Sequence, residues 1–138
     1  MTAYVDTSAL LRLVLREPGS LDKLRSFETL VSSELIAVEA LRTLDRLRLQ
    51  GSLTTEEAAS RSAVVNEWLE AMDLVLLRSP ILSLASEPLA VPLGTLDAVH
   101  LASARCWRDR NGEPLVMATH DSSLALAARA YRFEVVGV

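Results

Sequence analysis

The stretch Leu115-Val-Met-Ala-Thr-His-Asp121-Ser-Ser-Leu-Ala-Leu-Ala-Ala-Arg-Ala-Tyr131-Arg-Phe-Glu-Val-Val136 reads as strand, helix, strand. Leu115–Ala118 is a short apolar run of the kind buried inside a sheet. Ser122 to Tyr131 is a helix, and Phe133–Val136 is a closing strand. An aspartate, Asp121, sits where the first strand hands over to the helix.

The same alternation runs back through the chain. Ala3-Tyr-Val is a buried strand ending at Asp6, and Thr7 to Arg16 has helical spacing until Pro18-Gly19 stops it. Ser20 to Phe27 reads as a second short helix. Thr29-Leu-Val is a strand closed by Ser32-Ser33, two serines suited to cap a long helix from about Glu34 to Gln50. Thr54 and Glu57 form a capping box that opens a helix reaching about Met72. Asp73–Leu77 is a strand, and Ser79-Pro80 reads as a cap with proline at the first helical position. Gly94-Thr95 caps a helix from about Leu96 to Arg108, and Asn111-Gly112 is a turn. Short apolar strands alternating with longer helices predict the α/β class: a three-layer α/β/α sandwich with a central, mainly parallel sheet. With 138 residues and no repeats or linkers, one domain over 1–138 is expected.

Half of the residues are apolar and 23% are charged, which predicts a folded chain. With two Trp, two Tyr and two Phe, the core must be built mostly from Leu, Val and Ala. The single cysteine, Cys106, excludes an internal disulfide and a thiolate zinc site, and reads as a small core residue. The segment Met1-Thr-Ala-Tyr-Val-Asp6 has no basic stretch leading into an apolar run, and charges interrupt every hydrophobic run. Neither a signal peptide nor a membrane span is expected, and the expected compartment is the cytoplasm. A net charge of −4 argues mildly against a long grip on nucleic acid phosphates. That argument weakens for a nuclease, whose acidic site is neutralised by bound cations.

Ligands of an open parallel sheet bind beyond the carboxyl ends of its strands, and Asp6 and Asp121 stand at two such ends. Each also fits a helix N-cap. Glu39 lies beside the apolar stripe Ile36, Ala40, Leu44, Leu47, with Arg42, Thr43 and Arg46 as neighbours, which also fits a solvated pair with Arg42. Asp97 falls in the first turn of its helix, where the dipole favours any carboxylate. Each acid alone has a structural explanation, and their arrangement is what points to function.

In that arrangement the chain resembles the PIN-domain ribonucleases, most closely the toxin subunits of type II toxin–antitoxin pairs in the VapC family. Tyr4-Val-Asp6-Thr-Ser8-Ala-Leu-Leu is similar to the family's opening strand with its first acid. Ser32-Ser-Glu-Leu-Ile-Ala-Val-Glu39-Ala-Leu-Arg is similar to the helix bearing the second. Leu96-Asp97-Ala-Val-His-Leu-Ala-Ser-Ala104 and Met117-Ala-Thr119-His-Asp121 are similar to the segments with the third and fourth. The four occur in order over essentially the whole chain.

The resemblance implies that Asp6, Glu39, Asp97 and Asp121 converge as catalytic and metal-binding residues. All-oxygen ligands suit Mg²⁺ or Mn²⁺, which could activate water for attack on phosphorus. Thr7, Ser8 and Thr119 would orient carboxylates or metal-bound water. Arg12, Arg42 and Arg46 are the candidate RNA contacts, whereas His100 and His120 read as packing or solvent-facing residues. The implied function is a metal-dependent endoribonuclease toxin acting on a structured RNA, a tRNA or rRNA. It would be silenced by a VapB-like antitoxin laid over it, and would form a homodimer that assembles further with antitoxin. The sequence departs from the family at Ser122 and Ser123, where many relatives carry a further acid, so the number of metals stays open. It also has Tyr131-Arg132-Phe133 where relatives often have glycine, which predicts a helix end without a left-handed cap.

Two other functions fit the residues less well. A phosphatase with Asp6 as nucleophile needs a second acid two residues on and a lysine, but Ser8 stands there and Lys23 is the one lysine. A PIN-like RNA- or protein-binding scaffold without activity would leave four acids idle at a cost in stability.

Overall fold

The computed structural model describes residues 1–138. Its strands are β1 (Thr2–Val5), β2 (Thr29–Ser33), β3 (Met72–Val75), β4 (Leu115–Ala118) and β5 (Glu134–Val136). The helices are α1 (Thr7–Val14), α2 (Leu35–Leu49), α3 (Thr55–Glu70), α4 (Ser79–Ala85), α5 (Thr95–Asn111) and α6 (Ser122–Ala130). The strands form one sheet in the order β3-β2-β1-β4-β5, and every pairing is parallel.

Side chains alternate across each strand, so both faces of the sheet carry apolar residues. Ala3, Val5, Leu30, Val116 and Ala118 meet α1, α2 and α3 through Leu10, Ile36, Ala40, Leu44 and Val65. Tyr4, Val31, Leu115 and Met117 turn to the other face and meet α5 and α6 through Leu101, Ala104, Leu124 and Ala127. Small residues on α5 and α6 let these helices lie close to the strands. This is the three-layer sandwich expected from the sequence, with a sheet that is wholly rather than mainly parallel.

β1 is central, with β2 on one side and β4 on the other. The order of connection reverses there, which opens a crevice at the carboxyl ends of these two strands. Their register pairs Val5 with Ala118, and the Asp6 N–H donates to the Ala118 carbonyl at 3.2 Å. The segments after β1 and β4 therefore leave the sheet side by side.

Several helix ends differ from the sequence reading. Ser32 and Ser33 belong to β2, because the ladder with β3 runs on to pair Ser33 with Val75, although the Ser33 hydroxyl still accepts from the Leu35 N–H at the start of α2, at 3.1 Å. Ser32 donates to the Val5 carbonyl at 2.6 Å, and Glu34 precedes α2 without a side-chain cap bond. The Glu34 carboxylate is engaged elsewhere, accepting from the Leu77 N–H at 2.6 Å. Arg78 rather than Ser79 caps α4, with Pro80 in its first turn. The short helix expected over Ser20–Phe27 is a 3₁₀ segment, Asp22–Ser26. Cys106 is half-buried rather than a core residue. The capping box of Thr54 and Glu57 forms as expected.

The end of α6 corrects the expectation most plainly. Arg132 takes the left-handed conformation with φ 64°, although it is not glycine. Its N–H donates to the Arg129 carbonyl at 2.9 Å, and the Phe133 N–H donates to Ala128 at 3.0 Å. That is a Schellman ending, anchored by buried Phe133 and by the Arg108 guanidinium, which donates to the Tyr131 carbonyl at 2.7 Å. The left-handed turn costs an L-residue about 1–2 kcal/mol, part of which glycine would give back as chain entropy. Arg132→Gly is therefore expected to stabilise the fold by about 0.5–1 kcal/mol. Urea unfolding at unchanged m-value checks this, and a lower midpoint would show that the exposed Arg132 side chain contributes more than its backbone costs.

Candidate active site

Asp6 follows β1 and caps α1, accepting from the Ala9 N–H at 2.9 Å. It is 3% exposed and is held by two hydroxyls: Thr119 donates to Oδ2 at 2.6 Å, and Ser8 lies 2.7 and 2.9 Å from the two oxygens. Those hydroxyls also accept from the loop after β4. The Asp121 N–H donates to Thr119 at 2.9 Å, and the His120 N–H donates to Ser8 at 3.0 Å. Thr119 and Ser8 thus tie the start of α1 to the start of α6. Burial raises the Asp6 pKa above the usual aspartate value, even against its bonds from Thr119, Ala9 and Ser8.

Asp121 caps α6, accepting from the Leu124 N–H at 2.8 Å. Both cap readings for Asp6 and Asp121 are therefore true, and they coexist with a shared position at the crevice.

Glu39 lies on α2 but does not pair with Arg42, which bonds Asp45 at 2.9 Å instead. Its Oε1 accepts from the Thr7 hydroxyl at 2.7 Å and lies 2.6 Å from Nε2 of His100. Burial alone would raise the Glu39 pKa, but the bonds from His100 and Thr7 outweigh it and hold the carboxyl below the usual glutamate value. His100 is 1% exposed, and its Nδ1 lies 2.7 Å from the Tyr4 hydroxyl. The expectation that His100 packs or meets solvent is thus incomplete, because both ring nitrogens are engaged.

Asp97 sits in the first turn of α5. Its pKa is pushed up to about 6, first by burial, then by the charges of Asp121 and Asp6, with Glu39 adding to them and His100 opposing. Burial makes Asp97 easier to protonate, and the like charges around it add to that effect. The field of all three other acids therefore reaches Asp97.

The donors are oxygens, which suits a hard cation such as Mg²⁺ or Mn²⁺ rather than zinc. No three His, Cys, Asp or Glu side chains close on a single point as a ready-made cage. Mg²⁺ does not require one, since it keeps several waters and is held through one or two carboxylates. Asp97 with a neighbouring acid fits that mode.

A family model described as the PIN domain matches residues 3–130. The chain belongs to the PIN-domain family. It is 33% identical over 138 residues to Ribonuclease VapC46 of Mycobacterium tuberculosis, covering 96% of this chain and 95% of that protein. It is 32% identical over 101 residues to Ribonuclease VapC47 of the same species, covering 73% of each. The crystal structure of PAE2754 from Pyrobaculum aerophilum shares the fold, with a TM-score of 0.56 at 23% identity. That match covers 91% of this chain and 84% of the other.

Of the side chains expected at this PIN-domain site, Thr7, Ser8 and Thr119 do bond the acids. Arg12 pairs with Glu17 at 3.7 Å and Arg42 with Asp45, while Arg46 makes no ion pair and reaches only Thr43, at 3.3 Å. His100 and Tyr4 were missed. The available signals were the placement of His100 one helical turn after Asp97, and a lone tyrosine in a strand of small residues.

The raised pKa of Asp97 fixes a pH dependence. The folded protein binds that proton more tightly than the unfolded chain, so stability falls as pH rises from 3.8, the ordinary value, to about 6. Above that window the charged carboxylate costs stability in full. Without metal, Asp97→Asn should melt higher than the parent at about pH 7, and the gap should close towards about pH 4. Divalent cations should narrow it at neutral pH. A lower melting temperature for Asp97→Asn at neutral pH would show instead that the acid serves the α5 N-terminus.

Proposed function

We propose that this PIN-domain protein is a metal-dependent endoribonuclease, the toxin of a toxin–antitoxin pair, and that it cuts a structured RNA such as a tRNA or rRNA. The observation that carries the reading is that Asp6 and Asp121 share the Thr119–Ser8 hydroxyl strap at the crevice between β1 and β4, where Asp97 feels the charges of Asp121, Asp6 and Glu39. Such crowding costs stability unless a cation relieves it. The relatives named Ribonuclease VapC46 and VapC47 support the choice of RNA as substrate and of a VapB-like antitoxin as partner.

Asp97, with Asp6, Asp121 or Glu39 beside it, would hold Mg²⁺ or Mn²⁺. When bound, the ion supplies an activated water and neutralises charge at the leaving oxygen. Asp6 is the rigid member, since Thr119, Ser8 and the Ala9 N–H fix both its oxygens. Asp121 is carried on the same hydroxyl strap, so the two acids keep their spacing. Glu39 has all its hydrogen bonds on Oε1, which leaves Oε2 for the ion or its water. Arg46, exposed and without a carboxylate partner, is the freest of the three arginines to meet RNA phosphate. A homodimer that assembles further with antitoxin, in the cytoplasm, completes the reading. An acidic site also suits a basic side chain offered by that antitoxin.

The test is cleavage of total cellular RNA by purified protein with Mg²⁺ or Mn²⁺. Discrete fragments should appear, vanish with EDTA, and fall by about 100-fold or more in Asp6→Asn. Folded, antitoxin-free protein that cuts no RNA under these conditions, or that cuts equally well in EDTA, would overturn the proposal.

A further inference from the structure

We infer that His100 is a positioning residue for Glu39, with Tyr4 deciding which imidazole nitrogen donates to it. The inference rests on the carboxylate site proposed above and concerns how one of its acids is aimed. Tyr4 and His100 are buried, 0% and 1% exposed, and their rings meet edge to face at 5.8 Å and 77°. Burial raises the Tyr4 pKa and keeps its hydroxyl protonated.

A neutral imidazole has one donor and one acceptor nitrogen. If Nδ1 held the proton, the bare Nε2 lone pair would face a Glu39 oxygen 2.6 Å away, with no hydrogen between them. For the neutral ring one arrangement is consistent: the Tyr4 O–H donates to Nδ1, and Nε2–H donates to Oε1 of Glu39, the bond to Glu39 being the same if the ring takes a second proton. The Thr7 hydroxyl donates to the same oxygen at 2.7 Å. Both bonds hold Oε1 and leave Oε2 free.

The placement of His100 adds to the case. α2 packs on one face of the sheet and α5 on the other, so the His100–Glu39 bond reaches past the end of β1. Asp97 stands one turn before His100 on α5, so the bond sets the second acid relative to the third. Partners that orient metal-binding side chains typically matter by about 10–100-fold in affinity or rate.

The test uses the whole protein. In the metal-free state, long-range ¹H–¹⁵N spectra of the imidazoles should show His100 protonated on Nε2 and bare on Nδ1. Tyr4→Phe, which keeps the ring's shape, should release that preference into a mixture of tautomers. His100→Leu should weaken Mn²⁺ binding measured by calorimetry by about 10-fold or more. It should lower kcat on RNA with little change in KM, and His100→Gln, whose amide can still donate to Oε1, should recover much of both. If His100→Leu proves unstable, Tyr4→Phe carries the test, with a smaller loss in the same direction. Glu39→Gln separates the two levels of the argument. If it loses Mn²⁺ affinity while folded His100 and Tyr4 variants stay within about 2-fold of the parent, the positioning role is wrong. If Glu39→Gln itself binds Mn²⁺ normally, Glu39 is no part of the metal site and the inference falls with it. A proton on Nδ1 in the parent would also overturn it.

Discussion

Where β1 and β4 lie in parallel register, two chain exits point the same way, and an aspartate stands at each. Asp6 and Asp121 are neighbours because Val5 pairs with Ala118 and the Asp6 N–H continues that ladder to the Ala118 carbonyl. Everything else at the crevice is placed relative to this pair. Thr119 and Ser8 bind the two exits together through hydroxyls that donate to Asp6 and accept from the next loop. α5 then brings Asp97 in from one face of the sheet and α2 brings Glu39 from the other. A slip of one residue between β1 and β4 would turn these side chains to the wrong faces and dissolve the cluster.

The arrangement works against the stability of the fold. Asp97, raised to about 6 by burial and then by the neighbouring acids, is a carboxylate that the folded chain would rather protonate. The surrounding fold meets that cost in two ways. Asp6 and Asp121 double as helix caps, so each carboxylate satisfies a backbone N–H that would otherwise lack a partner. The core beneath is close-packed on both sides of the sheet by Leu, Val and Ala, with little space for rearrangement. Divalent cation binding would relieve the repulsion that remains, coupling metal affinity to stability.

Much of the fold was legible in the sequence because strands buried on both faces leave unbroken apolar runs, and the helices between them carry their own stops. Asp6 and Asp121 could be placed for the same reason, since each follows a strand. Helix ends were harder. Ser32 and Ser33 look like caps, yet pairing with β3 extends the strand through them, and of the two only Ser33 bonds the start of α2. Arg132 gives no sign of a left-handed turn, because that turn is imposed by the burial of Phe133 and by Arg108, which is distant in sequence. For Glu39, helical periodicity offers a solvated pair with Arg42 as readily as a site role, because it sees only its own helix. Its actual partners, Thr7 and His100, come from other elements. The buried Tyr4–His100–Glu39 chain was out of reach for that reason, since it joins a strand and two helices.

The central claim is that a divalent cation belongs among these four acids. The most direct measurement is anomalous diffraction from crystals soaked in Mn²⁺, which locates the ion without relying on RNA. The account predicts one strong peak at the carboxyl ends of β1 and β4, with Asp97 and at least one of Asp6, Asp121 and Glu39 as ligands and water completing the shell. Crystals saturated with Mn²⁺ that show no peak there, or a peak only at surface carboxylates elsewhere, would contradict it.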